Sequence, residues 1–170
     1  MAKKDPARFT EPHRSTSGEV DYRLELEEYY KTSIGSNVEK LQNFSKYVPS
    51  QDIRKLFCRY ELFKKILGIH GSIIECGVLY GGGLMSWAHL SEIFEPINHT
   101  RNIIGFDTFA GFTSVSDKDA TGTASQGKSG GLGIDSYDDL LKCVQVFDKM
   151  RFLPHISKVK LVKGDIKETL

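Results

Sequence analysis

The first third of the chain has its apolar residues spaced three or four apart, which is the period of an amphipathic helix. This spacing predicts three helices, over 20–32, 36–48 and 50–68. Ser36 and Glu39 form a capping-box sequence, in which each side chain satisfies a backbone amide of the first turn, so the second helix is expected to begin there. Residues 1–19 are polar and contain two prolines. They predict a flexible N-terminal arm, followed by a helical extension over 20–70.

The period then changes, and short β-branched runs replace the helical pattern. Three buried strands are predicted, over 72–78, 102–109 and 158–162. Between them the helical spacing returns over 83–94 and again after Ser136, whose side chain is expected to cap the second of these helices. The alternation of strand and helix is typical of a parallel sheet with right-handed crossovers, so it predicts an α/β domain over 71–170.

A long segment rich in Gly, Ser, Thr and Asp, residues 110–135, separates the second strand from the next helix. Loops of this length in compact domains tend to be functional lids or disordered. Because loops at strand ends commonly determine specificity, this segment and residues 1–32 are where an acceptor substrate is expected to be chosen.

Acidic residues mark the ends of the three predicted strands. Glu75, Asp107 and Asp165 each lie at the end of a strand or just after it. In open α/β sheets the carboxyl ends of parallel strands meet at one edge, and ligands bind there. The three carboxylates are therefore expected at one ligand site.

The first strand runs into ECGVLYGGG, residues 75–83, which places four glycines just before a helix. Glycine lets the backbone turn tightly and approach a ligand, and a helix N-terminus offers free amides. The spacing is neither the GxGxxG of dinucleotide-binding folds nor a P-loop, which requires Gly-Lys-Ser/Thr. The alternative is a simple tight connection between strand and helix, which the sequence favours less than a ligand-binding turn.

The two other acids give this turn suitable neighbours. A carboxylate at the end of the second strand can accept both hydroxyls of a ribose, which is the role expected of Asp107; the alternative is a helix cap or a solvated turn acid. Asp165 follows Gly164 and can accept from the exocyclic amine of an adenine, cap the helix that begins with KETL, or do both. Together with the glycine turn, these residues predict a cofactor that contains adenosine.

Three segments of the chain, GSIIECGVLYGGGLMSWA, IIGFDTFAGF and VKLVKGDIKETL, occur in this order. They resemble class I S-adenosylmethionine-dependent methyltransferases, and most closely the macrocin O-methyltransferase-like family. The resemblance covers about residues 45–170. It implies a Rossmann-like class I methyltransferase fold, a parallel sheet flanked by helices, of which the chain holds the N-terminal half plus N-terminal helices. The implied activity is methylation of a hydroxyl on a sugar or natural-product-like small molecule, with S-adenosylmethionine as cofactor.

The resemblance also implies three groups of cofactor-binding residues. The group near the methionine end is Glu75, Gly77, Tyr80, Gly81, Gly82 and Gly83. The group at the ribose and the adenine edge is Asp107, Thr108 and Phe109. The group at the adenine amine and face is Asp165 and Ile166. The family usually has a small residue such as serine where this chain has Gly83.

In the family, a later strand carries aspartates that bind a divalent metal, commonly magnesium, and a nearby residue acts as base. Both are expected beyond Leu170, so no metal ligand or catalytic residue is assigned within the chain. The first strand of such a sheet pairs on both sides, and the strand over 72–78 is therefore expected to have an open edge. The chain is expected to be a fragment, or part of a homo-oligomer or other assembly that covers this edge.

Composition excludes several functions. A net charge of +1 with 26% charged residues provides no electrostatic basis for nucleic-acid binding. No apolar run approaches the ~20 residues of a membrane span. Cys58, Cys76 and Cys143 have no disulfide or metal spacing and are interpreted as reduced thiols of a cytoplasmic protein. Two alternatives remain: a non-catalytic binding or assembly module with a cofactor fold, and a nicotinamide-dependent oxidoreductase, against which the glycine spacing argues.

Overall fold

The computed structural model describes residues 5–9, 15–120 and 126–170. These residues form two compact units: one reaches to Arg54 and includes Gln126, and the other comprises the remaining residues from Lys55 onward. The predicted arm over 1–19 lies partly outside the described residues. The predicted division of the chain at residue 70 differs from this boundary and stays a prediction.

Helices precede the sheet, with the bounds α1 Ser17–Thr32, α2 Asn37–Gln42 and α3 Ser50–Ile66, and a 3₁₀ turn over Phe44–Lys46. The capping box predicted at Ser36 is confirmed, because Ser36 Oγ accepts from Glu39 N and the Glu39 carboxylate accepts from Ser36 N. The helix that it begins is shorter than predicted. The side-chain amide of Asn43 donates to Glu39 O at 2.8 Å, which competes with continuation of the helix.

The second unit contains a three-stranded parallel sheet in the order β1-β2-β3. Its elements are, in chain order, β1 Ile73–Cys76, α4 Gly82–Phe94, β2 Ile103–Asp107, α5 Asp117–Ala120, α6 Tyr137–Asp148, β3 Val159–Lys163 and α7 Ile166–Thr169. Ile73 lies opposite Ile103, which lies opposite Val159. The predicted α/β architecture with parallel strands is confirmed.

The first two strands end earlier than the sequence predicts because the backbone turns sharply after each of them. Gly77 has a φ of +82° and Phe109 a φ of +55°, both in the left-handed region that cannot continue a strand. β3 is instead shifted by one residue relative to its predicted range and ends before Gly164, whose φ is +145°.

The hydrophobic core lies on one face of the sheet, against α4 and α6. The strands contribute Ile73, Ile103, Val159 and Leu161, which the register places on the same face. The helices contribute Leu84, Ala88, Leu140, Val144 and Phe147. This packing fixes the first turns of α4 and α6 beside the carboxyl ends of the strands, which is the edge where ligands bind in open α/β sheets.

Within the described residues β1 is an edge strand, because its outer side pairs with no other described strand. The expectation that a further segment or a second copy covers this edge stays a prediction. Among the helices of the described ranges, none combines the length and apolar character needed to cross a bilayer.

Gly81 gives a first testable prediction. It precedes α4 with a φ of +84°, and a β-carbon added there would clash with Leu140 Cδ2 in the core. Gly81→Ala is expected to lower the free energy of unfolding by about 2–3 kcal/mol, because left-handed backbone and core overpacking both disfavour a side chain. Urea denaturation measures this loss.

Gly82→Ala is the matched control, because a β-carbon at Gly82 meets no heavy atom within 4 Å. Alanine also favours a helical position, so the control should keep or slightly raise stability. Equal losses in the two variants would refute the account of Gly81.

Candidate functional site

A cavity of about 490 Å³ opens at the carboxyl ends of the strands. Its walls include Gly77, Asp107 and Asp165, one from each strand end, together with the loop segments 111–114 and 131–132. This volume is in the usual range for small-molecule sites. The predicted meeting of the three strand ends at one site is therefore present in the structure, although Glu75 is not among the residues that line it.

Asp107 holds the end of β2 against the turn that follows β1. Its Oδ2 accepts from Val78 N at 2.7 Å and from Leu79 N at 2.9 Å, and its Oδ1 accepts from Phe109 N at 2.8 Å. A carboxylate has about four lone-pair sites, so roughly one remains for a ligand hydroxyl. The carboxylate therefore organises the turn in addition to lining the cavity, a role that the sequence did not indicate.

Glu75 contacts α4 instead of lining the cavity. Its Oε2 accepts from Trp87 Nε1 at 3.0 Å, and the carboxylate also accepts from the backbone of Leu84 in the first turn of α4. Burial raises the pKa of Glu75, and the nearby Arg59 guanidinium opposes part of this rise. A β-carbon on Gly83 would lie 2.5 Å from Glu75 Oε1, so the close approach of this carboxylate explains the glycine.

The residues predicted near the methionine end therefore separate in the structure. Gly77 lines the cavity. Outside its lining are Glu75, Tyr80, Gly81, Gly82 and Gly83. Leu79, which the sequence analysis did not select, lines the cavity and has a φ of +52°, a conformation that residue type alone does not indicate.

The burial of Glu75 predicts a pH dependence. Because its pKa is raised in the folded chain, ionisation costs more when the chain is folded than when it is unfolded. The native chain should lose stability relative to Glu75→Gln as the pH rises from about 4 to about 7. Urea denaturation measures the free energy of unfolding of both proteins across this range. The difference between them isolates the titration of Glu75, because every other titratable group is present in both. If the stability difference between wild type and Glu75→Gln stays constant with pH or changes in the opposite direction, the burial of an ionised Glu75 is refuted.

The residues after β2 divide between the core and the cavity. Thr108 Oγ1 donates to Gly111 O at 2.6 Å and turns the chain back, and Thr108 lines the cavity. Phe109 is 4% exposed and packs edge-to-face on Tyr137, so its ring lies in the core. Phe112 is 44% exposed and lines the cavity. The aromatic residue at the cavity wall is therefore Phe112, not Phe109 as expected from the sequence.

Asp165 caps α7 and also lines the cavity. The helix cap and the position at the ligand site, which the sequence left as alternatives, are therefore both present. Its Oδ1 accepts from Lys167 N at 3.0 Å at the start of α7, and its Oδ2 accepts from Thr113 Oγ1 at 2.6 Å. These hydrogen bonds, first of all the one from Thr113, hold the pKa of Asp165 below its usual value. Ile166 lines the same cavity.

The loop wall of the cavity consists of two hydrogen-bonded segments. Phe112 N donates to Gly131 O at 3.1 Å, and Gly130 N donates to Phe112 O at 2.9 Å. On the adjacent side, Ser136 Oγ donates to Leu79 O at 2.5 Å. The expectation that the Ser136 side chain caps α6 is therefore wrong: its hydroxyl ties the start of α6 to the turn after β1.

A second cavity, of about 440 Å³, lies between α3 and α4. It is lined mainly by apolar residues such as Leu56, Phe57 and Ile93, and it contains no carboxylate. Within the described ranges, no three His, Cys, Asp or Glu residues are placed to hold a metal ion. Of these two cavities, the strand-end cavity is the one that presents the carboxylates that a polar cofactor requires.

No family model matches the chain, and no curated protein matches it. Solved structures do match it, and two of CalS11 are among them. The crystal structure of CalS11, a calicheamicin methyltransferase, aligns with a TM-score of 0.84 and 28% identity over 99% of this chain and 65% of that one. The apo structure of CalS11, described as a TDP-rhamnose 3′-O-methyltransferase of calicheamicin biosynthesis, aligns with a TM-score of 0.73 and 25% identity over 98% of this chain and 63% of that one.

The chain thus has a methyltransferase fold, and it spans less than two thirds of the length of these two structures. The narrower resemblance to the macrocin O-methyltransferase-like family has no matching family model behind it and stays a prediction.

Proposed function

We propose that the chain binds S-adenosylmethionine in the strand-end cavity and forms the cofactor-binding part of an enzyme that methylates a hydroxyl of a sugar or related small molecule. The observation that carries this proposal is the pairing of Asp107 and Asp165 in one cavity, at the ends of neighbouring strands. A carboxylate at the end of β2 suits a ribose hydroxyl, and a carboxylate after the neighbouring strand can accept from the amine of an adenine. The fold similarity to CalS11 supports the same cofactor.

The residues of the cavity fit this cofactor by their chemistry. Asp107 retains a lone pair for a ribose hydroxyl, and Asp165 retains acceptor capacity for an exocyclic amine. Phe112 and Ile166 provide apolar surface for a purine face. Gly77 keeps side-chain bulk away from the wall formed by the end of β1.

S-adenosylmethionine supplies an electrophilic methyl group carried on a sulfonium. The described residues bind and orient this donor, and holding donor and acceptor in line accounts for much of the acceleration in such transfers. A base and any magnesium ligands are expected beyond residue 170, so neither is assigned to the described residues. The sugar activity for which CalS11 is named, 3′-O-methylation of TDP-rhamnose, favours a deoxysugar hydroxyl as the acceptor.

Equilibrium dialysis against S-adenosylmethionine, S-adenosylhomocysteine and NADH tests the proposal and its alternatives. We expect the two adenosyl ligands to bind and NADH to remain free. Binding of NADH alone would contradict the proposal and favour an oxidoreductase. If the chain binds the adenosyl ligands, methylated sugar formed on incubation with S-adenosylmethionine and TDP-rhamnose would exclude a non-catalytic binding module.

A further inference from the structure

We propose that Thr113 makes this site selective for adenine over hypoxanthine, by fixing the Asp165 carboxylate as a hydrogen-bond acceptor in the cavity wall. This inference rests on the proposed function, because it concerns how the adenosine part of the cofactor is recognised. Thr113 was not selected from the sequence, and it lies 52 positions before Asp165 along the chain.

Two hydrogen bonds fix the geometry of the Asp165 carboxylate. Thr113 Oγ1 donates to Oδ2 at 2.6 Å, and Lys167 N donates to Oδ1 at 3.0 Å. The two donors belong to different elements, the loop after β2 and the first turn of α7. Two bonds from separate elements fix the plane of the carboxylate, while each oxygen keeps a free lone pair for a ligand.

The loop that carries Thr113 is itself stabilised by hydrogen bonds. Phe112, the neighbour of Thr113, exchanges backbone hydrogen bonds with Gly130 and Gly131. Thr108 Oγ1 donates to Gly111 O at 2.6 Å at the start of the same loop. The Thr113 hydroxyl is therefore presented to Asp165 by a segment that is hydrogen-bonded at Gly111 and Phe112, and the same segment places Phe112 in the cavity wall.

An ionised carboxylate favours purines that present a hydrogen-bond donor to it. Thr113 and Lys167 both donate hydrogen bonds to Asp165. These bonds hold its pKa below the usual value, so the carboxylate is ionised and acts only as a hydrogen-bond acceptor. Adenine presents an exocyclic amine, which is a donor. Hypoxanthine presents a carbonyl oxygen at the same position, which would face the carboxylate without a shared proton. Sites that hydrogen-bond a specific ligand group discriminate strongly against analogues that lack it.

The test compares S-adenosylhomocysteine with S-inosylhomocysteine, which differs by a carbonyl oxygen in place of the amine. We expect the wild-type chain to prefer the adenosyl ligand by about tenfold or more. Thr113→Val removes the hydroxyl and keeps the branched shape, and it should reduce this preference several-fold. Thr113→Ser keeps the hydroxyl and should retain the preference. The ratio of the two affinities is the readout, because a general loosening of the loop would weaken both ligands alike.

Asp165→Asn is the second variant, because asparagine also caps helices and its amide can donate to a carbonyl. It should shift the preference toward S-inosylhomocysteine. If wild type binds S-adenosylhomocysteine and the affinity ratio is unchanged in Thr113→Val, the inference on Thr113 is overturned and the proposed function stands. If folded wild type binds neither ligand, the proposed function falls and the inference with it.

Discussion

Asp107→Ala is expected to weaken the binding of S-adenosylhomocysteine by at least about tenfold and to lower the free energy of unfolding by about 2–3 kcal/mol. The loss of affinity follows from the missing ribose acceptor in the cavity wall. The loss of stability follows because the amides of Val78, Leu79 and Phe109 lose their shared acceptor. Calorimetry measures the first effect, and urea denaturation measures the second.

Asp117→Ala is the matched control for this variant, since Asp117 is an exposed acid in α5. Its substitution should leave affinity unchanged and stability within about 0.5 kcal/mol, as for most surface changes. Full affinity in folded Asp107→Ala would mean that Asp107 neither contacts the ligand nor shapes its site, which contradicts the account of the cavity.

Arg101→Met is expected to lower the free energy of unfolding by about 3–5 kcal/mol, the usual effect of breaking a buried ion pair from one side. Arg101 is 4% exposed and donates twice to the Glu95 carboxylate, at 2.6 Å and 3.1 Å. It also donates to three carbonyl oxygens between α3 and β1, those of Ile66, Ile69 and Gly71. Without the guanidinium, these acceptors and a buried carboxylate lose their donors.

Two further measurements identify the cause of that loss. Arg101 lowers the pKa of Glu95. The ion pair therefore contributes its full stabilisation above the ordinary carboxyl pKa, and this stabilisation is lost as the pH falls through the lowered pKa of Glu95. The stability gap between wild type and Arg101→Met should therefore narrow below about pH 4. Adding Glu95→Gln to Arg101→Met should recover part of the loss, because the unpaired charge is gone.

Lys64→Ala provides the surface comparison. Lys64 pairs with Glu61 at 3.2 Å on the exposed face of α3, and such pairs contribute about 0–1 kcal/mol. An effect of Arg101→Met as small as that of Lys64→Ala would contradict the buried network at Arg101.

The fold was predictable because local patterns determine it. Strong helical spacing, short β-branched runs and their alternation are readable from the chain itself, and they led to the parallel sheet that the structure contains. The strand ends were less accurate, because the sharp turns at Gly77 and Phe109 depend on backbone angles that residue type indicates only weakly.

The site was predictable at the level of strand ends and not at the level of side-chain direction. Asp107 and Asp165 lie in the cavity wall because both are placed by the ends of strands. Glu75 lies within β1, on the face toward α4, so its carboxylate bonds to Trp87 instead of lining the cavity. The choice between Phe109 and Phe112 depends on the left-handed turn at Phe109.

Thr113 illustrates what the sequence does not contain. Its bond to Asp165 joins two loops that are far apart along the chain, and no local periodicity or motif spacing signals such a pair. The same holds for Ser136, whose position suggested a helix cap and whose hydroxyl instead bonds to Leu79 O.

Titration calorimetry of S-adenosylhomocysteine into the folded chain tests the central claim most directly. We expect saturable heat for one ligand per chain, and at least about tenfold weaker binding in Asp107→Ala. The absence of binding heat across several temperatures, with circular dichroism and cooperative unfolding showing that the chain is folded, would contradict the assignment of the strand-end cavity as an S-adenosylmethionine site.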